Sequence, residues 1–330
     1  MSTRHVVVTG ATGFVGSAVL RRLAEQGPGD RGSRGSRGSQ GVMVRAVSRT
    51  QTPAGLSGAH WKGADLADGP SLRGVCDGTD VLLSLASYVG PDAERCTAVN
   101  SAGTAALMAE ARRAGVGRII HLSTCAVYGP GPHRGQDVGE LTPAPVSAAS
   151  GSRLAGEEAV LDAGGLVLRA GLVLGRGDRW AVPALVDAFR RVPAGWDGGA
   201  GRASFVDVDD LARLIVALAF ADGAEIDAPG VLHAHHPEPV RNRDLMDALA
   251  EHRVLPARPE ADWSWRRCLD ALAATPGWVS ERQFTLLAGD HWYRADAAWE
   301  RAGIPPGPGP LSRLGPAARW YRERGGVAPG

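Results

Sequence analysis

The stretch "VVVTGATGFVGSAVL", residues 6–20, decides the fold. A β-branched run meets three glycines, Gly10, Gly13 and Gly16, and then apolar residues at helical spacing, Val15, Ala18, Val19, Leu20 and Leu23. Each glycine has its own task in a strand–turn–helix unit. Gly10 permits the tight turn, Gly13 lets an anion approach the backbone, and Gly16 lets the helix pack close to the strand. The helix N-terminus adds free N–H groups and partial positive charge. This is the pattern of a dinucleotide pyrophosphate site, with Gly10, Thr12, Gly13, Phe14, Val15 and Gly16 as its cradle.

Working outward, "VMVRAV" (42–47) reads as the second strand. It ends in Ser48, Arg49 and Thr50, with no carboxylate nearby. A carboxylate there would bind a ribose 2′-hydroxyl and repel a 2′-phosphate, whereas an arginine fork suits the phosphate. The expected cofactor is therefore NADP(H) rather than NAD(H). Further strand signals are "DVLLSLAS" (80–87), "GRIIHLST" (117–124), "GLVLRAG" (165–171), "ASFVDV" (203–208) and "GVLHAHH" (230–236). Helical patterns run from Phe14 to Gln26, from about Ala93 to Ala114, and over 209–220. The alternation predicts an α/β fold with a doubly wound parallel sheet of Rossmann type. A smaller, mostly helical C-terminal substrate domain should follow, because six of the nine tryptophans lie beyond residue 260. The expected division is 1–170 with 203–236 for the nucleotide domain, and 171–202 with 237–330 for the substrate domain. The glycine-, serine- and arginine-rich segment 27–41 is too polar to pack and reads as a flexible insertion.

Bulk properties narrow the function. The 330 residues carry a net charge of +1 and no basic block, so nucleic acid is not an expected partner. No apolar run approaches membrane-spanning length, and the chain enters its first strand without an apolar leader. The four scattered cysteines lack any C-x-x-C pair and read as free thiols of a reducing compartment. A cytoplasmic protein is expected. Lys62 is the only lysine, so lysine chemistry is nearly closed to it. His233, His235 and His236 cluster, but no further ligands accompany them and no metal site is expected.

Seven segments then fall in a familiar order: "TGATGFVG" (9–16), "GADL" (63–66), "VNSAGT" (99–104), "HLSTCAVYG" (121–129), "SGSRLAGEEAV" (150–160), "LRAGLVLGRG" (168–177) and "RASFVDVDDLA" (202–212). Over residues 4–235 the chain resembles the extended short-chain dehydrogenase/reductases, which include nucleotide-sugar epimerases, dehydratases and ketoreductases. The resemblance implies that Asp65 and Leu66 flank an adenine, and that Leu85, Ala86 and Ser87 line the cofactor. It implies that Asn100, on the helix beneath the site, contacts the cofactor, that Thr124 is the catalytic hydroxyl, and that Ala170 and Gly171 touch the nicotinamide. Tyr88, Cys125, Ala126, Trp180 and Arg202 are the candidate substrate contacts. A homodimer through the helices carrying Asn100 and Arg153 is expected on the same ground.

Two positions depart from the family pattern. Its Y-x-x-x-K aligns with Ala149 and Arg153, and none of Tyr88, Tyr128, Tyr293 or Tyr321 has a lysine four residues on. Gly171 stands where many nucleotide-sugar enzymes carry asparagine. In the family the tyrosine protonates the carbonyl oxygen and the lysine supports it. Arg153 can hold a ribose and favour negative charge nearby but cannot act as the acid. The favoured expectation is an NADPH-dependent ketoreductase whose polycyclic aromatic substrate carries its own proton donor. Thr124 would orient the carbonyl. Such a protein resembles the atypical ketoreductases of aromatic polyketide antibiotic pathways, those acting on angucyclinones among them. The alternatives are a deoxysugar 4-ketoreductase or epimerase with an altered acid, and a redox-silent NADP-binding sensor or scaffold.

Overall fold

The computed structural model describes residues 3–25, 41–49, 59–221, 223, 228–257 and 259–324. Except for Gly41, the expected insertion (27–41) lies outside the described residues, as does Thr50.

Seven strands form one parallel sheet: β1 (Arg4–Thr9), β2 (Val42–Ser48), β3 (Ala59–Gly63), β4 (Val81–Ser84), β5 (Arg118–Thr124), β6 (Leu166–Ala170) and β7 (Gly230–Ala234). Their order across the sheet is β7-β6-β5-β4-β1-β2-β3, and every neighbouring pair is parallel. The winding reverses between β1 and β4, and the crevice outside their carboxyl ends is where such sheets take ligands.

Burial explains the apolar strands. Val6 and Val8 join the core under the helices Phe14–Glu25 and Val208–Phe220. Val7 points the other way, into the core with Leu107 and Met108 of the helix Thr104–Ala114. Both sheet faces are covered, so a near-continuous hydrophobic run is required.

A second core gathers Leu174 and the helix Ala181–Arg191 with residues of the C-terminal region, including Phe284 and Tyr321. The helix Asp296–Ala302 behaves differently: Ala298, Trp299 and Ala302 pack into the sheet's own core.

Several expected elements take another form. The strand expected over 80–87 stops at Ser84, because the backbone turns outward there to line the crevice. The stretch 203–208 does not enter the main sheet. It divides at Ser204 into Arg202–Ala203, paired with Val240–Arg241 and His291–Tyr293, and Phe205–Asp207, paired with Leu172–Leu174. The long helix begins as Ala93–Cys96, widens into a π-helix over Thr97–Gly103 and continues as Thr104–Ala114. β3 had no β-branched signal in its sequence; it is an edge strand held by pairing with β2.

Candidate functional site

A cleft of about 410 Å³ opens at the carboxyl ends of β1, β2, β4, β5 and β6. Its floor is the glycine turn. Gly10 has φ +66°, and a Cβ there would stand 2.7 Å from the Ala86 backbone. A Cβ on Gly16 would stand 2.0 Å from the Gly10 carbonyl oxygen, so the helix approaches only because that position is bare. Thr9 ties the turn to β4, its hydroxyl accepting the Leu85 and Ala86 N–H groups at 3.1 and 3.4 Å. Gly10, Thr12, Gly13, Phe14, Val15 and Gly16 all line the cleft. The open helix N-terminus and the absent Cβ atoms fit a dinucleotide pyrophosphate.

Ser48 and Arg49 bound one end of the cleft, Ser48 buried and Arg49 exposed, with Asp65 and Leu66 beside them. Leu85, Ala86, Ser87 and Tyr88 form the β4 side. Ala170, Gly171 and Trp180 close the far end.

Four expected contacts lie elsewhere. Asn100 is buried behind the cleft. Its side chain accepts the Tyr88 N–H and donates to the Tyr88 carbonyl, both at 2.8 Å, and donates to Ser152 Oγ at 3.0 Å. It fixes the Tyr88 loop to the helix Ala148–Asp162 rather than facing a ligand. Cys125 is turned inward by the 3₁₀ turn Cys125–Tyr128, its Sγ donating to the Arg169 carbonyl at 3.3 Å. Ala126 emerges on the far side of the same turn, in a separate cavity. Arg202 is committed to the small sheet, its N–H donating to Asp290 at 3.0 Å.

Thr124 ends β5 and lines the cleft. Its Oγ1 accepts the Ala126 N–H at 3.1 Å, which caps the turn and leaves the hydroxyl proton available to donate. Arg153 also lines the cleft. One nitrogen donates to the Leu122 carbonyl at 3.1 Å, while Nε is buried with no partner among the described residues. Burial pulls its pKa down to about 10, against the pull of Glu157, so it stays cationic at neutral pH. Tyr88 carries the Arg95 guanidinium over its ring at 4.9 Å. Its hydroxyl lies against Gly90, where a Cβ would stand 2.2 Å away.

Beneath the cleft runs a buried polar chain that sequence reasoning did not assemble. Glu157 accepts from Ser123 and pairs with Arg169 at 2.6 Å. Arg169 donates to the Tyr128 hydroxyl at 2.9 Å, and that hydroxyl meets His233 Nε2 at 2.7 Å. His233 Nδ1 meets the Arg294 carbonyl at 2.7 Å, so Nδ1 carries the proton and Nε2 accepts from Tyr128. Burial raises Tyr128 and lowers His233 from their ordinary values. The available signals were Arg169 inside an apolar strand and Glu157 one turn after Arg153. Tyr128 is fully engaged and lines no part of the cleft. His121 lies within hydrogen-bonding distance of Ser84 at 3.0 Å and is held neutral by burial, its pKa pushed down to about 3.

Trp180 is 41% exposed at the cleft mouth. Its N–H donates to Asp178 at 2.7 Å, and its ring stands edge-on to Trp278 at 6.3 Å. Among the described residues, no three His, Cys, Asp or Glu side chains are grouped to hold a metal ion, and no helix is long and apolar enough to cross a membrane.

Comparison with known proteins places these features in a family. A sterol demethylase protein B of Methylococcus capsulatus is 36% identical over 132 residues, covering 38% of this chain and 36% of its own. A 4-hydroxy-2-methyl-3-oxo-4-farnesyl-3,4-dihydroquinoline-1-oxide ketoreductase of Stigmatella aurantiaca is 31% identical over 207 residues, covering 58% and 57%. The chain thus spans between about a third and just over half of the length of these relatives. The solved dTDP-glucose 4,6-dehydratase of Streptomyces venezuelae with NAD bound superimposes with a TM-score of 0.70 at 21% identity, covering 97% and 98% of the two chains. The model of the NAD dependent epimerase/dehydratase family matches residues 6–229, and the chain belongs to that family.

Proposed function

We propose that the protein is an NADPH-dependent ketoreductase for a polycyclic aromatic ketone of polyketide type, in an antibiotic pathway, bearing a hydroxyl next to its carbonyl. One observation carries this reading: Thr124 and Arg153 both line the cleft. In our reading of the sequence Ala149, in the first turn of the helix Ala148–Asp162, stands where the family carries its phenol. On that reading the Tyr/Lys pair is missing, and the tyrosine that lines the same cleft as Thr124 is Tyr88.

Bound in the cleft, the reduced dinucleotide supplies a hydride. The glycine turn and the Phe14–Glu25 helix hold its pyrophosphate, and Arg49 takes the 2′-phosphate. Thr124 donates its hydroxyl proton in a hydrogen bond to the carbonyl oxygen. Arg153 favours the negative charge that grows there. The neighbouring hydroxyl of the substrate delivers the proton and is re-protonated from water. General acid catalysis is worth about 10²- to 10⁴-fold, so an internal donor replaces a large contribution. The quinoline ketoreductase of Stigmatella, by its name, acts on a ring ketone, which supports the class.

The second reading is a deoxysugar 4-ketoreductase or epimerase, favoured by the dTDP-glucose dehydratase likeness. Against it stands Gly171, where a Cβ would meet the Ser204 carbonyl oxygen at 2.4 Å. The asparagine common to sugar-nucleotide enzymes does not fit there.

The test is oxidation of NADPH, followed by absorbance, with a hydroxy-quinone ketone, its methyl ether and a dTDP-4-keto-sugar. Turnover of the free hydroxyl compound, with a large loss for the ether, supports the proposal. Equal rates for the ether overturn the internal donor. Turnover of the sugar alone selects the second reading. Tight NADPH binding without any turnover makes the protein a cofactor-binding sensor.

A further inference from the structure

We propose that Arg95 is a specificity-determining residue of the cleft, and that it selects a ketone carrying a carboxylate away from the reacting carbonyl. The inference rests on the ketoreductase reading above.

Position is the first ground. Arg95 lies in the helix Ala93–Cys96 with its guanidinium over the Tyr88 ring at 4.9 Å, and both residues line the cleft. Tyr88 follows β4, and Thr124 ends β5, the neighbouring strand of the sheet. The Asn100 side chain bonds the Tyr88 backbone on one side and Ser152 Oγ on the other, and Ser152 immediately precedes Arg153. Arg95 is thus carried on a loop and helix tied to the segment that presents Arg153, on the reacting side of the cleft.

Charge is the second ground. The charged residues lining the cleft are Arg49, Asp65, Arg95 and Arg153. Arg49 and Asp65 stand together at one end, so the reacting side holds two cations and no carboxylate. On the reading above the glycine turn takes the pyrophosphate, Arg49 the 2′-phosphate and Arg153 the growing oxyanion. Arg95 is the cation left over. Its side chain is exposed and among the described residues forms no ion pair, although Asp92 and Glu94 flank it in sequence. Asp92 instead caps the helix, accepting the Arg95 backbone N–H at 3.0 Å.

Chemistry chooses the ligand. A planar guanidinium matches a carboxylate through two parallel hydrogen bonds. An exposed pair of this kind is weak in water, and it strengthens where a flat ring system displaces water around it. Val89 and Trp180, apolar and exposed at 40% and 41%, line the same cleft and offer such rings a surface. The anion is not the hydroxyl beside the carbonyl, because that group must keep its proton in order to deliver it.

The test uses the full-length protein with NADPH and one tetracyclic hydroxy-quinone ketone in two forms, a ring carboxylate and its methyl ester. The native protein should favour the acid about tenfold in kcat/KM, the effect of one charged hydrogen bond. Arg95→Gln should bring the ratio of acid to ester close to one, and Arg95→Lys should restore part of it. Equal native rates for acid and ester, or a ratio in Arg95→Gln within about twofold of the native one, overturn the assignment. A fall in NADPH affinity in Arg95→Gln as large as the fall for the acid overturns it in favour of a cofactor contact. If the native protein reduces neither form, the ketoreductase reading fails on its own. Equilibrium dialysis of the two forms against the NADPH-loaded protein then decides: weaker binding of the acid to Arg95→Gln supports the assignment, and equal binding overturns it. A dTDP-sugar whose binding alone responds to Arg95→Gln overturns it in favour of a diphosphate.

Discussion

Glu157 lies one helical turn beyond Arg153, yet its carboxylate pairs with Arg169 at 2.6 Å. Arg153 keeps a buried Nε without a partner. Among the described residues the cation in the cleft thus has no ion-pair partner, although Glu157 still acts on it at longer range, while the ion pair below it ties β5, through Ser123, to β6. Both partners are buried, at 8% and 2% side-chain exposure. Removing one member of such a pair leaves an uncompensated buried charge and costs about 3–5 kcal/mol. Arg169→Met should lose stability on that scale in urea unfolding. Arg169→Met with Glu157→Leu should recover a large part of it, because no charge is then stranded.

Thr124→Ala removes, at the β5 end, the hydroxyl that keeps a proton free to donate to the proposed carbonyl; Ser123 beside it donates to Glu157. A lost donor of this kind lowers kcat by about 10²- to 10³-fold, and Thr124→Ser should restore most of it. Tyr88→Phe separates the proposal from a protein acid. The Tyr88 hydroxyl lies against Gly90 and its ring carries Arg95, so kcat should stay within about threefold of the native value. A hundredfold fall in single-turnover rate would make Tyr88 the proton donor.

Arg49 is the cation at the end of β2. Arg49→Ala should weaken NADPH about tenfold, the effect of one charged hydrogen bond, with little change for NADH. Fluorescence titration with both cofactors measures it. Equal losses would place Arg49 away from the 2′-phosphate.

Buried histidines set the acid limit of the fold. Burial pushes His121 and His235 down to about 3 and His291 to about 4, from 6.5. Folded pKa values below the unfolded ones mean stability that is complete above pH 6.5 and is lost as pH falls. Asp207 works the other way: burial raises it to about 6, so its folded form holds a proton near pH 5 that the unfolded form has released. These three histidines less Asp207 account for an uptake of about two protons on unfolding near pH 5, or roughly 3 kcal/mol per pH unit; His133 and His233, also lowered by burial, add to it, and Asp178, raised by burial, subtracts from it. Urea midpoints should fall steeply from pH 6 to pH 4.5. His121→Phe, aromatic and without the titrating ring nitrogen, should flatten the slope.

The sheet and its crevice were legible because both depend on local rules. A β-branched strand, three spaced glycines and an apolar helix face act within twenty residues, so positions from Gly10 to Gly16 were found as a group. Residues that depend on backbone direction were not. Cys125 and Ala126 follow Thr124 in sequence, but a 3₁₀ turn sends one into the core and the other to a separate cavity. Asn100 sits on a π-helix, where the wider turn aims its amide at the Tyr88 backbone. Arg202 was drawn into the small sheet by the backbones of Val240–Arg241 and His291–Tyr293, which are distant in sequence. The Glu157–Arg169–Tyr128–His233 chain needs two strands, one helix and a 3₁₀ turn to converge, and no spacing announces that.

The last helix, Leu314–Arg324, holds the Trp180 end of the cleft from outside it. Tyr321 is buried, and its hydroxyl accepts the Gly175 N–H at 2.7 Å. Trp320 Nε1 donates to the Asp178 carbonyl at 2.9 Å, and the Asp178 carboxylate accepts the N–H groups of Trp180, Ala181 and Val182. The loop that presents Trp180 is therefore held at both ends by groups that touch no ligand. Tyr321→Phe removes two hydrogen bonds, the one accepted from the Gly175 N–H and the one made with the Asp178 carboxylate, each worth about 1 kcal/mol, and strands the Gly175 N–H. The KM for an aromatic ketone should rise about fivefold while the dissociation constant for NADPH stays near its native value. Trp180→Ala should raise the same KM at least as far, and adding Tyr321→Phe to it should have little further effect. Two independent losses, multiplying in the double variant, would mean that Tyr321 acts by general stability and not through Trp180.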